Sequence, residues 1–363
     1  MGMKRTFAIA ITVLFLWGIL PGCAIQTAAI DISNVKVSHV WATVSSAYYL
    51  SNDGVLYCSG ADSDASSYVV YENPQSGIVA KDVMAFNEMI GGGYYIDSQN
   101  RLFIWNEKKI PFLDYHSVGK RMMVKEGIVL VKDSKDCFVY IDANNDLYFV
   151  GRLGAEQYSH NNPKFLDSNV VAVDIREQFI IWSNNNGNIT TYGTSSDSLF
   201  LTFANKVSNL GYSNIQDIVL SDNYMVLLAD NELLFCGNYP AFISGESAIR
   251  EISTECLVLA SDIQSFSCST NTIVAIDNNG RALLWGKCLV NGLDNTTRPQ
   301  YGYFEKLEFA LNATSVSVSG NCLCYVDTDG VSHIYHAAGW PAFYGNSTSD
   351  VCVGIGRSPN TWS

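Results

Sequence analysis

The sequence predicts an all-β fold, a seven-bladed β-propeller built from repeats of about 42–50 residues, on three observations. Seven windows of thirteen residues align without a gap. Each window reads as two short apolar runs around a polar turn. Most of these hairpins follow a further short apolar run.

The windows are YYLSNDGVLYCSG (48–60), YYIDSQNRLFIWN (94–106), VYIDANNDLYFVG (139–151) and IWSNNNGNITTYG (181–193), then MVLLADNELLFCG (225–237), VAIDNNGRALLWG (274–286) and CYVDTDGVSHIYH (324–336). Their central residues are Gly54, Asn100, Asn145, Gly187, Asn231, Gly280 and Gly330. Tight hairpin turns need positive φ, which Gly and Asn adopt at least cost. Five windows end in Gly (60, 151, 193, 237 and 286), which suits a chain passing close to other backbone. The upstream runs, such as Val170–Val173, Ile215–Leu220, Ile263–Phe266 and Val316–Val318, bring each unit to three or four strands. No long stretch with a 3.6-residue apolar period and caps stands out after the first 23 residues, so no helix is expected there. One such unit cannot bury both of its faces, but a closed ring of them can. A β-solenoid is the structural alternative, with repeats usually shorter than these. Ring closure is expected from the segment near Asp31–Val44 lying beside the last blade.

Composition agrees. Hydrophobic residues make up 48% and charged residues 16%, enough for a large core, and the 12% aromatic content favours strands. The formal net charge of −13 disfavours nucleic acid as a partner.

The first residues read as an address. Lys4 and Arg5 precede an apolar run, Thr6–Leu20, of signal-peptide length, closed by Leu20-Pro21-Gly22-Cys23. A small residue before Cys at the end of such a run resembles the bacterial lipoprotein signal. That resemblance implies cleavage before Cys23 and a lipid on its thiol, although Pro21 departs from the usual residue. The expected organisation is a signal peptide over 1–22, a tether over 23–30 and the propeller over 31–363. Export to the outer face of the cell membrane follows, with secretion as the alternative. Nine Cys remain after Cys23, an odd and scattered set, so the main expectation is buried apolar thiols with one or two cross-strand disulfides.

The hairpins resemble the regulator-of-chromosome-condensation repeat family, whose units carry aliphatic-Asp-x-x-Gly-x-aliphatic-x-x-Trp-Gly. Residues 276–286 (IDNNGRALLWG) match closely and 141–151 (IDANNDLYFVG) in part, and Gly151-Arg152-Leu153-Gly154 echoes the loop that follows. The resemblance spans about residues 31–345 and implies the propeller fold. The Gly and His that usually precede the hairpin are mostly missing, and His336 replaces the final Gly of the last unit. The family's nucleotide-exchange activity on a nuclear GTPase is not carried over to an exported acidic chain.

No catalytic motif emerges: there is no H-E-x-x-H, no phosphate-cradling loop and no G-x-S-x-G. No cofactor and no metal are expected. His333 and His336 lie three apart in a strand and point to opposite faces, and Asp277-Asn278-Asn279-Gly280 and Asp327-Thr328-Asp329-Gly330 read as turns before calcium loops. The candidate partner-binding residues are loop aromatics: Tyr158, Tyr239, Phe242, Tyr301, Tyr303, Trp340, Phe343 and Tyr344. Filling gaps between blades is the competing reading for the Pro-Ala-Phe copies. The expected function is an exported, monomeric binding module for an extracellular protein or glycan, without catalysis. Inhibition of an extracellular enzyme is the alternative, since secreted propellers of this repeat type include β-lactamase inhibitors. A further alternative is a glycan-degrading enzyme using carboxylates in the central channel.

Overall fold

The computed structural model describes residues 35–42, 46–60, 69, 72, 77–89, 92–106, 113, 120–134, 137–193, 198–244, 256–290, 300–319 and 322–335. Cys23, Trp340, Phe343, Tyr344 and residues 351–363 lie outside them.

The chain forms seven antiparallel sheets, one per repeat. The first strands are Val37–Ala42, Val83–Met89, Ile128–Ser134, Val170–Arg176, Ile215–Leu220, Ile263–Ser269 and Ala313–Ser319. The first strands of blades 3, 4 and 5, and those of blades 6, 7 and 1, approach one another, so first strands are the inner strands of the ring. Second and third strands are the seven hairpins of the repeat. A fourth strand follows in blades 1, 2, 3, 5 and 6.

The turn of each hairpin explains the repeat. Gly54, Asn100, Asn145, Gly187, Asn231, Gly280 and Gly330 all have φ between 59° and 79°. In five blades an Asp or Asn three residues earlier accepts the backbone N–H groups two and four residues ahead: Asp97, Asp142, Asn184, Asp277 and Asp327. Ser51 plays this part in blade 1, taking the Val55 N–H. The acidic turns are therefore consumed by their own backbone.

The same turns join the blades. At six junctions the carbonyl of the positive-φ residue accepts the N–H that opens the next blade: Gly54 from Val83, Asn100 from Ile128, Asn145 from Val170, Asn231 from Ile263, Gly280 from Ala313 and Gly330 from Val37. The last of these closes the ring. Val37–Ala42 pairs within blade 1 and packs beside blade 7, without joining its sheet. At the junction of blades 4 and 5, Ser183 Oγ donates to the Ile215 carbonyl instead.

The core lies between blades, with Trp105 and Trp285 buried at equivalent places. The strand-end glycines make room: a Cβ on Gly193 would lie 1.9 Å from the Gln178 oxygen, and one on Gly286 would lie 2.3 Å from the Asn271 oxygen. One disulfide joins Cys236 and Cys256 across the third and fourth strands of blade 5.

The expectation of no helix is corrected. A helix, α1 (Ser198–Leu210), follows the third strand of blade 4, and a short one, α2 (Tyr239–Ser244), replaces a loop in blade 5. Phe200, Phe203, Ala204 and Val207 of α1 are buried against blades 4 and 5 at i, i+3, i+4 and i+7 spacing. Gly211, at φ 76°, ends the helix in the left-handed conformation.

Candidate functional site: the two faces and the axis

Strand direction gives the ring two faces. Every hairpin turn lies on one, the turn face. The connections leaving the third strands, with α2, lie on the other, the loop face, and α1 runs from there beside Ile189–Gly193 back to the turn face, where Tyr212 and Ser213 meet Gly187.

On the turn face each first strand carries a β-bulge after its opening residue. The bulge leaves one residue outside the ladder and re-aims its side chain. These residues, one per blade at equivalent positions on the turn face, are Ser38, Met84, Val129, Val171, Gln216, Gln264 and Thr314. Blades 2, 3 and 4 place apolar side chains there, with Met84 57%, Val129 42% and Val171 43% exposed. The residue before each is buried (Val83, Ile128 and Val170), and the next side chain, left outside the ladder, faces solvent. Sequence reading missed this arc. Its signal was an apolar run that fails to alternate, as in Ile128-Val129-Leu130-Val131.

Further along the first strands, charged groups converge on the axis. Lys132 of blade 3 reaches past blade 4 to Asp217 of blade 5 at 3.7 Å. Asp174 of blade 4 is buried and accepts the Leu220 N–H of blade 5 at 2.6 Å. Ser267 does the same for the Val318 N–H between blades 6 and 7. Burial, reinforced by Asp174, pushes the Asp133 carboxyl up to about 7. Burial raises Asp174 to about 6 against the pull of Lys132. Burial works against the Lys132 ammonium, yet Asp217 and Asp174 outweigh it and hold its pKa above the ordinary value. Burial, with Asp174 and Asp217, drives the Cys268 thiol far up, which keeps it protonated and a poor nucleophile. This cluster holds blades 3, 4 and 5 together across the channel.

Among the described residues, the predicted aromatics Tyr158, Tyr239, Phe242, Tyr301 and Tyr303 are spread over blades 3, 5 and 6. Tyr158 is half-buried on blade 3, donates to Glu156 at 2.5 Å and lies under Lys164, whose ammonium is 5.1 Å from its ring. Lys164 also contacts the Tyr192 phenol of blade 4. Tyr239 and Phe242 belong to α2 and pack against Tyr224 and Phe235. The Phe242 ring occupies the space a Cβ on Gly286 would need. Tyr239 donates to the Glu305 carbonyl at 3.0 Å and lines a cleft of about 380 Å³ with Leu257, Val258, Leu259, Trp285 and Lys306. Tyr301 and Tyr303 lie in the long fourth strand of blade 6, with Tyr303 exposed. His333 is buried, stacked on Tyr325 and 2.9 Å from Asp327.

Solved structures share this architecture. The fold is that of an RCC1-type propeller. Yeast RCC1 (Prp20), in a complex with Kap60, matches with a TM-score of 0.59 at 13% identity over 93% of this chain and 88% of that one. Prp20p from Saccharomyces cerevisiae, in a structure reported with its binding properties to Gsp1p and histones, matches with a TM-score of 0.58 at 14% identity over 85% of each chain. Human WBSCR16 matches with a TM-score of 0.58 at 12% identity, over 80% of this chain and 86% of that one. No protein-family model matches the sequence. No curated protein matches it either.

Proposed function

We propose that the chain is an exported, lipid-anchored binding module, without catalysis, that engages an extracellular protein through the turn face of blades 2–4. The observation that carries this reading is the arc of Met84, Val129 and Val171. Three adjacent blades turn large apolar side chains to water at one equivalent position, and contiguous apolar exposure marks interaction sites. Lys4, Arg5, the run Thr6–Leu20 and Gly22-Cys23 support export and an anchor at Cys23. The Cys236–Cys256 disulfide supports an oxidising compartment. Lys132, Asp174 and Asp217 are engaged in holding blades together, which supports a structural part for the axial carboxylates.

The test uses residues 23–363 and a Met84→Ser/Val129→Ser/Val171→Ser variant, each crosslinked in envelope extract. One protein enriched by the parent and reduced at least tenfold with the variant, at unchanged melting temperature, supports the reading. Equal recovery, or no enrichment, overturns it. Fatty-acid labelling of the full chain checks the anchor: label should be lost with Cys23→Ser, and an unlabelled parent removes the lipid.

A further inference from the structure

The apolar arc of the turn face sits in an acidic surround. The opening N–H of each arc strand donates to a carbonyl in the hairpin turn of the blade before it: Val83 to Gly54, Ile128 to Asn100 and Val170 to Asn145. Met84, Val129 and Val171 directly follow Val83, Ile128 and Val170, so each lies beside a neighbouring turn. The turn beside Met84 holds Asp53, and Asp82 comes just before it in the chain; both are exposed. Exposed Glu126 comes just before Val129. The turn beside Val171 holds Asp142 and Asp146. Exposed Lys81 and Lys125 are the nearby cations, while Arg101 is already held by Asp97 at 2.6 Å.

The surplus of acid extends over the whole face. Among the described hairpin turns and the connections between blades, the cations are Lys36, Lys81, Arg101 and Arg281, and Arg281 is held by Asp277 at 2.6 Å. Acids stand in the turns of blades 1, 2, 3, 5, 6 and 7. The loop face instead pairs charges locally, Lys164 with Glu156 and Arg176 with Asp222. Much of the formal net charge of −13 is therefore gathered on the face that carries the arc. A field of this sign selects its partner. A second copy of the chain would set acid against acid, and nucleic acid or an anionic lipid surface would be repelled. Apolar side chains within an acidic rim are complemented by apolar side chains within a basic one.

We propose that the turn face of blades 2–4 docks a basic segment of a partner protein, in which apolar side chains are flanked by Lys and Arg. This inference rests on the arc reading given above and adds the chemistry of the partner. Apolar side chains of the segment cover Met84, Val129 and Val171, and its cations meet Asp53, Asp82 and Glu126. The arc fixes where the segment sits, and the acids speed its arrival and reject acidic competitors.

The experiment titrates residues 23–363 by calorimetry with three amphipathic peptides of about 18 residues, roughly five turns of helix. They share one Leu pattern and carry Lys, Gln or Glu at the remaining positions. The Lys peptide should bind at least tenfold more tightly than the Gln peptide, and the Glu peptide should not bind. That preference should fall as salt is raised from about 0.05 M to about 0.5 M, because the Debye length shortens. Asp53→Asn/Asp82→Asn/Glu126→Gln should weaken the Lys peptide at least tenfold, and so should the Met84→Ser/Val129→Ser/Val171→Ser variant. Asp262→Asn/Asp329→Asn, in blades 5–7 of the same face, should change it less than twofold. Equal binding of the Lys and Gln peptides, with loss in the arc variant, overturns the basic partner and leaves the arc reading standing. Binding of the Lys peptide that ignores the arc variant, or that weakens equally with the Asp262/Asp329 pair, is diffuse attraction to an acidic protein and overturns the proposal. No binding by any peptide also overturns it, while the envelope crosslinking decides the arc reading separately. Salt dependence in the parent decides the part played by charge if the acid variant does not fold.

Discussion

The two faces of the ring share the same strands but follow different rules. On the turn face, six turns repeat one set of hydrogen bonds, blade 5 turns more tightly through Asp230 and Asn231, and the bulge residue varies from blade to blade. On the loop face the connections differ in length and form, one becomes the short helix α2, and glycine, aromatic rings and a disulfide settle each junction separately. Uniform geometry thus leaves the turn face free to vary its exposed side chains at little structural cost. The loop face spends its variety on packing, which is why its aromatics are half-buried.

That contrast can be broken or sharpened by substitution. The largest effect should come from Gly286→Val. Its side chain would collide with the Asn271 carbonyl and the Phe242 ring, and a loss of more than about 4 kcal/mol is expected in urea unfolding. Gly127→Ala on the turn face meets nothing within 4 Å and should cost only about 1 kcal/mol through its positive φ.

Next comes pH. The folded chain raises the Asp133 and Asp174 carboxyls above their unfolded values, so their contribution favours folding in acid and is lost as pH rises. It is full below about pH 4 and gone above about pH 7. Asp133→Asn should therefore flatten the fall in stability across that window and gain roughly 2–4 kcal/mol at pH 8. A parent whose stability rises from pH 4 to pH 7, with no change in slope on substitution, would contradict the axial assignment.

The disulfide follows. Cys236→Ser/Cys256→Ser opens a loop with a sequence separation of 20 and should cost about 3 kcal/mol by thermal unfolding, an effect that reducing agent reproduces in the parent. Asp277→Ala removes the acceptor for two turn N–H groups and for Arg281, and about 1–2 kcal/mol should be lost. The smallest effect belongs to Val129→Ser, within about 0.5 kcal/mol because the side chain is already exposed. A large loss there would mean that the arc is packing and not surface.

What the sequence disclosed follows the same division. The hairpins were legible because turn chemistry is local: a carboxylate or amide, two residues, then Gly or Asn. The closing segment was legible too, as a neighbour of the last blade. Helix α1 was missed because Phe200, Phe203, Ala204 and Val207 occupy one short stretch where another fourth strand was due. The bulge arc was hidden because unbroken apolar residues read as buried strand. The axial cluster could not be read, since Lys132, Asp174 and Asp217 come from three repeats and only the closed ring brings them together.

The bond from Val37 to Gly330 has a consequence for the order in which the protein matures. Five other junctions can form as soon as two successive repeats have left the ribosome. This one joins the opening strand of the first repeat to the hairpin of the last, so blade 1 must wait for nearly the whole chain. Until then the growing molecule is an open arc with an apolar face at each end, and the final repeat ends that exposure by the same contact that built five of the six earlier junctions.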